Sequence, residues 1–295
     1  CVNSPYRDFL KAMTRDLMDT VPVDGLFYDI VQVCECSCRY CKDGMTAEGL
    51  DPAQAADRLA YAKNVNTDFK EDMSAFVRTQ TPDCAIFYNA GHIGPAIRES
   101  QTTYTHFELE SLPSGGWGYL HFPITMRYAR TLGLDCMSHT GKFHTSWGDF
   151  HSFKNLAALQ FECFHMLALN AKYLIGDQLH PNGKIDGPVY DLIGQVYEEV
   201  ERKEAWCAGA TPITEIGLVT TEEFDDERVP APVAGATRML QEKGHQFDIL
   251  DTQSDLAGYR LIILPDRIPV SDVFAEKLRQ YLAEGGAVIA SFESG

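Results

Sequence analysis

Residues 104–110 read YTHFELE. His106, Glu108 and Glu110 alternate with Phe107 and Leu109, the period-two pattern of a β-strand with one polar and one apolar face. Two acids near the C-terminal end of a strand need an explanation, and other strand-like stretches repeat the arrangement. GLFYDIV (25–31) reads as a buried strand with Asp29 near its end. CAIFYN (84–89) ends on Asn89, with His92 just beyond. LDCMS (134–138) is followed by His139, Lys142 and His144, and YLIGDQ (173–178) carries Asp177 and is followed by His180. Every one of these strands has polar groups at its C-terminal end or in the next loop.

Helical stretches separate most of the strands. Phe9, Leu10, Met13, Leu17 and Met18 recur at helical spacing behind Ser4 and Pro5, and a proline suits the first helical turn. Further helices are expected near 52–77, 122–132, 155–171 and 189–206. Five strand–helix repeats force parallel pairing, which suits either an open doubly wound sheet or part of an eight-unit barrel. The polar strand ends favour the barrel, because a (β/α)8 barrel builds its catalytic face from the C-terminal ends of all its strands. An open sheet concentrates ligands at a switch point, and no glycine-rich phosphate loop follows any strand here.

Past Gly209 and Pro212 the pattern changes. ITEIGLVTT, FDIL, YRLIILPD and GGAVIAS read as strands of a second α/β domain, with PVAGATRMLQEKG and SDVFAEKLRQYLAE as helices. The expected fold is therefore α/β: the last five strand–helix units of a (β/α)8 TIM barrel in residues 1–209, then an incomplete doubly wound, amidotransferase-like domain in 210–295. On this reading three barrel units precede Cys1, and the trailing domain stops short at Gly295.

Bulk properties narrow the function. The 295 residues are 45% hydrophobic, enough for a substantial core. A net charge of −17 argues against binding a phosphate backbone or an anionic membrane surface. No apolar run reaches the roughly 18–20 residues a spanning helix needs, and the N-terminus lacks signal-peptide character. Nine cysteines with one tight cluster fit metal ligands and reduced core thiols better than a disulfide framework, and point to the cytoplasm. Cys84, Cys136 and Cys163 read as small core residues.

NSPYRDF, VDGLFYDIV, FELESLPSGGWGYLHFP, GKFHTSWGDF and IGDQLHPNG together resemble the bacterial α-L-fucosidase-type glycoside hydrolases, in the branch whose barrel is followed by a β-galactosidase-type trimerisation domain. The resemblance implies a retaining exo-glycosidase that removes terminal α-L-fucosyl groups from an oligosaccharide or glycoside, needs no cofactor for catalysis and assembles as a homo-oligomer, by analogy a trimer. A β-galactosidase-like glycosidase of the same architecture and a non-catalytic sugar-binding or assembly protein are the alternatives. A metal-dependent hydrolase using His139, His144 and His180 is a further class, against which no H-x-H or H-E-x-x-H spacing is found.

Retaining hydrolysis needs a carboxylate nucleophile and a carboxyl acid/base roughly 5–5.5 Å apart. Asp29 is the nucleophile candidate, since a charge at the mouth end of an apolar strand has little else to do, and the resembling fucosidases put their nucleophilic aspartate at the end of the fourth barrel strand. Glu110 is the first candidate for the acid/base and Glu108 the second. Trp117 and Trp147, in loops, offer flat faces for a sugar. Asn89, His92, His139, Lys142, His144, Asp149, Asp177 and His180 are candidate hydroxyl contacts.

Cys34, Cys36, Cys38 and Cys41 form C-x-C-x-C-x-x-C. Its CSCRYC part resembles the zinc-binding cysteine loop after the fourth barrel strand of thermophile-type β-galactosidases, whose remaining ligand comes from an earlier strand end. That resemblance implies a structural zinc on Cys1, Cys36, Cys38 and Cys41, with Cys34 as the alternative ligand. A closed thiolate site offers no open position for water. The spacing is irregular for a zinc knuckle, and a reduced, metal-free loop is the other reading.

Overall fold

A computed structural model describes residues 1–295 as two compact units: residues 1–90 with 97–106, and residues 91–96 with 107–295. The first unit begins with helix α1 (Tyr6–Thr20). Ser4 and Pro5 start it as expected, the Ser4 hydroxyl accepting from the Tyr6 N–H at 3.3 Å. Strand β1 (Gly25–Tyr28), helices α2 (Arg39–Ala47) and α3 (Ala55–Gln80) and strand β2 (Ala85–Tyr88) follow. β1 and β2 pair in parallel, with Tyr28 opposite Tyr88 and their rings stacked at 5.2 Å. α1 meets α3 through charge: Arg7 pairs with Asp68 and Asp72, and Lys11 with Asp72. Its apolar stripe, Phe9, Met13 and Leu17, stays exposed.

Within residues 1–295 the stretch 25–31, expected to be a buried strand, is regular only over Gly25–Tyr28 and is half-exposed. β1 hydrogen-bonds only to β2, and its outward residues, Phe27 among them, are exposed. The strand ends at Tyr28 because Ile30 takes a left-handed φ of 55°, which a β-branched residue adopts only where its surroundings impose it.

The second unit carries strand β3 (Phe107–Glu110), helix α4 (His121–Ala129), strand β4 (Cys136–Gly141), helix α5 (Leu156–Ala168), strand β5 (Lys172–Gly176) and helix α6 (Gly187–Cys207). The strands pair in parallel in the order β3-β4-β5, and the helices between them supply the crossovers that parallel pairing requires. Asn155 caps α5 by accepting from the Ala158 N–H at 2.9 Å. Leu159 and Cys163 of α5 pack on Val196 and Val200 of α6. β6 (Ile216–Val219), α7 (Glu222–Asp225), α8 (Ala231–Glu242), β7 (Phe247–Leu250), β8 (Leu261–Leu264), α9 (Asp272–Ala283) and β9 (Ala287–Ala290) complete the chain. Their strands form a parallel sheet in the order β7-β6-β8-β9 over a core of Val219, Leu250, Ile262, Leu264 and Phe274.

Residues 208–215, around the boundary expected near 210, lie outside regular structure, yet α4 and the trailing sheet fall in one compact unit. Chemistry explains the union. Arg130, in the turn after α4, pairs with Asp248 of β7 at 2.6 Å, each side chain 7% exposed. Asp248 also accepts from Thr214 and Tyr259, Tyr128 donates to Asp251 at 2.6 Å, and the Arg127 guanidinium lies 4.3 Å over the Phe247 ring. Asp248→Ala strands a buried guanidinium, so it should destabilise the protein by about 3–5 kcal/mol. Urea unfolding of the variant beside the parent measures this, and a loss under about 1 kcal/mol contradicts it.

Candidate active site

Glu108 and Glu110 sit on one face of β3 as the alternation predicts, but the strand is buried on both faces, and the two acids are only 9% and 7% exposed. Parallel register places Glu110 opposite His139 of β4. The His139 ring stands between the carboxylates, Nδ1 3.9 Å from Glu108 Oε2 and Nε2 3.7 Å from Glu110 Oε2. Trp147 Nε1 donates to Glu110 Oε1 at 2.7 Å. The indole reaches that position because Gly176, at the end of β5, has no side chain: a Cβ there lies 2.5 Å from Trp147 Cη2. Phe143 braces the ring edge-on at 4.9 Å, and Trp147 remains 45% exposed. It therefore orients a candidate catalytic carboxylate while offering an apolar face to solvent.

Trp147→Phe keeps an aromatic ring and removes the N–H. A hydrogen bond to a charged group contributes about 1.5–3 kcal/mol, so turnover should fall about tenfold with KM little changed. Steady-state kinetics decides it. A rise in KM with turnover intact shows that the indole serves binding alone.

The loop carrying Trp147 is pinned from within. Lys142 Nζ donates to the carbonyls of Phe150 and Ser152 at 2.9 and 3.2 Å and lies 4.0 Å from Asp177 Oδ1. Asp149 accepts from the Ser152 hydroxyl and N–H and from Thr145, and these donors hold its carboxyl down to about 2. Gln178 Oε1 accepts from the Gly148 N–H, and the His180 ring lies against Phe150. Lys142 and Asp149 are thus committed to shaping the loop, which sets them apart from the hydroxyl contacts expected of them. His144 is exposed on the same loop. Beneath it, Lys154 and Glu162 form a fully buried pair at 2.8 Å, both bonded to Thr140 of β4.

His92 also differs from expectation. Its side chain is 7% exposed, with Nε2 2.9 Å from Glu222 Oε1 and Nδ1 3.2 Å from Thr125 Oγ1 and 3.4 Å from His121 Nε2. Both nitrogens are engaged inside the protein, so it supports the site rather than lining it. His121 Nδ1 faces the Ser111 hydroxyl at 3.1 Å, and Trp117 packs edge-on against His121 at 4.9 Å. Burial pushes the His121 imidazole down to about 3, so it is neutral at physiological pH. Neither His121 nor Glu222 was singled out by sequence, because both act through partners remote along the chain.

In the first unit Asp29 follows β1 directly and is exposed. Asn89, at the end of β2, donates from Nδ2 to Asp29 Oδ1 at 2.9 Å. The Asn89 backbone brackets the same turn, its N–H donating to Tyr28 O and its carbonyl accepting from the Val31 N–H, both at 2.8 Å. Two residues chosen from sequence are thus brought together, Asn89 orienting the Asp29 carboxylate.

Cys1, Cys36, Cys38 and Cys41 gather with all four sulfurs within 4.8 Å of one another. Cys1 Sγ lies 3.5 Å from Cys41 Sγ and 3.7 Å from Cys38 Sγ, close to the roughly 3.8 Å edge of a zinc–thiolate tetrahedron with bonds of about 2.3 Å. The irregular spacing has a simple cause. Cys38 caps α2 and Cys41 lies inside it, so the pair shares one helix face. Burial and the neighbouring thiols push Cys41 up to about 12, a crowding that a cation relieves. Asn3 Nδ2 stands 3.8 Å from Cys41 Sγ and donates to the Tyr61 hydroxyl at 3.0 Å. Cys34 is exposed and outside the cluster.

Comparison with known proteins places these features. The model of the β-galactosidase trimerisation domain matches residues 236–295. The structure superposes on α-L-fucosidase isoenzyme 2 from Paenibacillus thiaminolyticus with a TM-score of 0.96 and 40% identity, over 100% of this chain and 46% of that one. It is similar in fold to a β-galactosidase from Bacillus circulans sp. alkalophilus (TM-score 0.82, 14% identity, 100% of this chain and 56% of that one). The figures for a β-galactosidase from G. stearothermophilus are 0.79, 14%, 100% and 56%. No curated protein matches the chain. The chain spans less than half the length of the fucosidase and just over half that of the β-galactosidases. The chain thus resembles part of an α-L-fucosidase over its whole length, with strand–helix units like those of a partial (β/α)8 barrel followed by a match to the β-galactosidase trimerisation domain.

Proposed function

We propose that the protein is a retaining exo-glycosidase acting on terminal α-L-fucosyl groups. The observation carrying this reading is the 40% identity, over the whole of this chain, to an α-L-fucosidase. Asp29, held by Asn89, attacks the anomeric carbon and displaces the leaving oxygen, which Glu110 protonates. Glu110 then takes a proton from the water that hydrolyses the glycosyl-enzyme. Trp147 and Trp117 give the sugar apolar faces, and His139, His144, Asp177 and His180 are the polar groups for its hydroxyls. The trimerisation-domain match favours β-galactosidase activity as the second reading. Assay of the full-length protein on aryl α-L-fucoside, β-D-galactoside and related glycosides decides between them: turnover on the galactoside alone replaces the first reading with the second, and no turnover on any removes both.

The same match supports self-association as a trimer through residues 236–295. The gathered thiols suit a reducing cytoplasm, where they bind metal in preference to pairing. No helix is long and apolar enough to cross a membrane. We assign Cys1, Cys36, Cys38 and Cys41 to a structural zinc that clamps the loop behind Asp29. Such a metal supplies folding energy and no open coordination position. Cys36→Ser with Cys38→Ser should reduce zinc from about one per chain to near zero and lower Tm by about 5 °C or more. Elemental analysis with thermal unfolding measures both, and a zinc-free parent protein removes the assignment.

A further inference from the structure

We propose that Glu222, on the short helix after the first strand of the trailing sheet, is a positioning residue for Glu110, acting through a polarised chain of two histidines. The proposal rests on the glycosidase reading above. Its geometry is directional. The Glu222 carboxylate only accepts, so His92 Nε2, 2.9 Å away, carries a proton, and in the neutral ring His92 Nδ1 is then the acceptor. His121 Nε2 faces that acceptor at 3.4 Å, with Thr125 Oγ1 beside it at 3.2 Å. His121 thus donates from Nε2 and accepts at Nδ1 from the Ser111 hydroxyl, 3.1 Å away. Every bond in the chain Ser111, His121, His92, Glu222 points the same way, toward the anion.

Ser111 follows Glu110 in sequence, and its N–H donates to the carbonyl of His139 at 2.9 Å. Its side chain anchors the relay while its backbone anchors the residue that stands between Glu108 and Glu110. The relay therefore sets where β3 ends and where the Glu110 carboxylate points. Room for Glu222 is built in: a Cβ on Gly94 collides with its carboxylate. Space, not backbone conformation, demands that glycine. Trp117 closes the other side, its ring edge against His121 and over Gly91. Burial keeps His121 neutral, with His92 and the Arg228 charge acting in the same direction and Glu110 opposing. A neutral ring can pass polarisation along only if its tautomer is fixed from outside, and the carboxylate at the end of the chain does this.

The decisive variant is Glu222→Gln, which keeps the shape and an acceptor oxygen but loses the charge and gains an N–H₂ that can donate to His92. In the full-length protein, 15N chemical shifts of labelled histidines, assigned with His92→Asn and His121→Asn, report the tautomers without any substrate. Parent protein should show both rings protonated at Nε2. Glu222→Gln should show mixed tautomers at His92, a turnover about tenfold lower, KM within about twofold and an unchanged Tm. Unchanged tautomers and turnover overturn the proposal, leaving Glu222 as packing; so does a tautomer change without a fall in turnover. If the parent hydrolyses no glycoside, the functional reading fails by itself and the positioning role falls with it, while the parent tautomers still show whether the relay exists.

Discussion

Asp29→Ala in the full-length protein is expected to lower turnover on an aryl α-L-fucoside by about 10³-fold or more while leaving the protein folded. The contrast follows from where the residue sits. Asp29 accepts one side-chain hydrogen bond, from Asn89 Nδ2 at 2.9 Å, and losing a bond to a charged group costs about 1.5–3 kcal/mol, small beside the expected loss of rate. A nucleophile, by contrast, splits one difficult displacement into two easier ones, and its removal leaves only binding and charge stabilisation. Added azide sharpens the test, because a small anion can enter the space of the lost carboxylate and attack from the same side. The product is then a glycosyl azide of inverted configuration, and chiral analysis identifies it. Near-parental turnover in Asp29→Ala sinks the assignment. A folded Asp29→Ala that loses activity but yields no inverted azide also contradicts it.

Much of the architecture was legible because the signal was local. Period-two alternation at 104–110 and polar residues after each apolar run are properties of a few consecutive residues, and all five strands form where that reading put them, paired in parallel. Asp29 and Asn89 were each legible as strand-end residues, and the structure makes them partners because adjacent parallel strands bring equivalent ends together. What escaped depends on tertiary neighbours. Lys142 looks like a ligand at a strand end, yet it folds back on carbonyls of its own loop. His121 lies within FELESLPSGGWGYLHFP but nothing local marks it out, Glu222 lies in a stretch with no motif, and their contacts span up to 130 residues of chain. The cysteine spacing was legible as a metal pattern, but not the helical turn that makes the irregular spacing work.

Glu110→Gln is the companion to the Asp29 variant, with an expected loss of about 10²–10⁴-fold that depends on the leaving group. The amide oxygen can still accept from Trp147 Nε1, which lies 2.7 Å from Glu110 Oε1, so the substitution changes proton chemistry while sparing the scaffold. Poor leaving groups need the acid and should suffer most. Activated aryl fucosides leave without protonation, so their first step survives and the second, which needs a base to activate water, becomes limiting. The expected signature is a rapid burst of phenol followed by slow turnover, with a lowered KM as the glycosyl-enzyme accumulates. Azide, which needs no base, should restore turnover and give an azide of retained configuration, opposite to the product from Asp29→Ala. Glu108→Gln separates the two buried acids of β3. One residue further from the strand's end, Glu108 also faces the His139 ring, and its loss should slow all substrates alike without a burst and without azide rescue. If the burst and the retained azide product appear with Glu108→Gln and not with Glu110→Gln, the acid/base role belongs to Glu108.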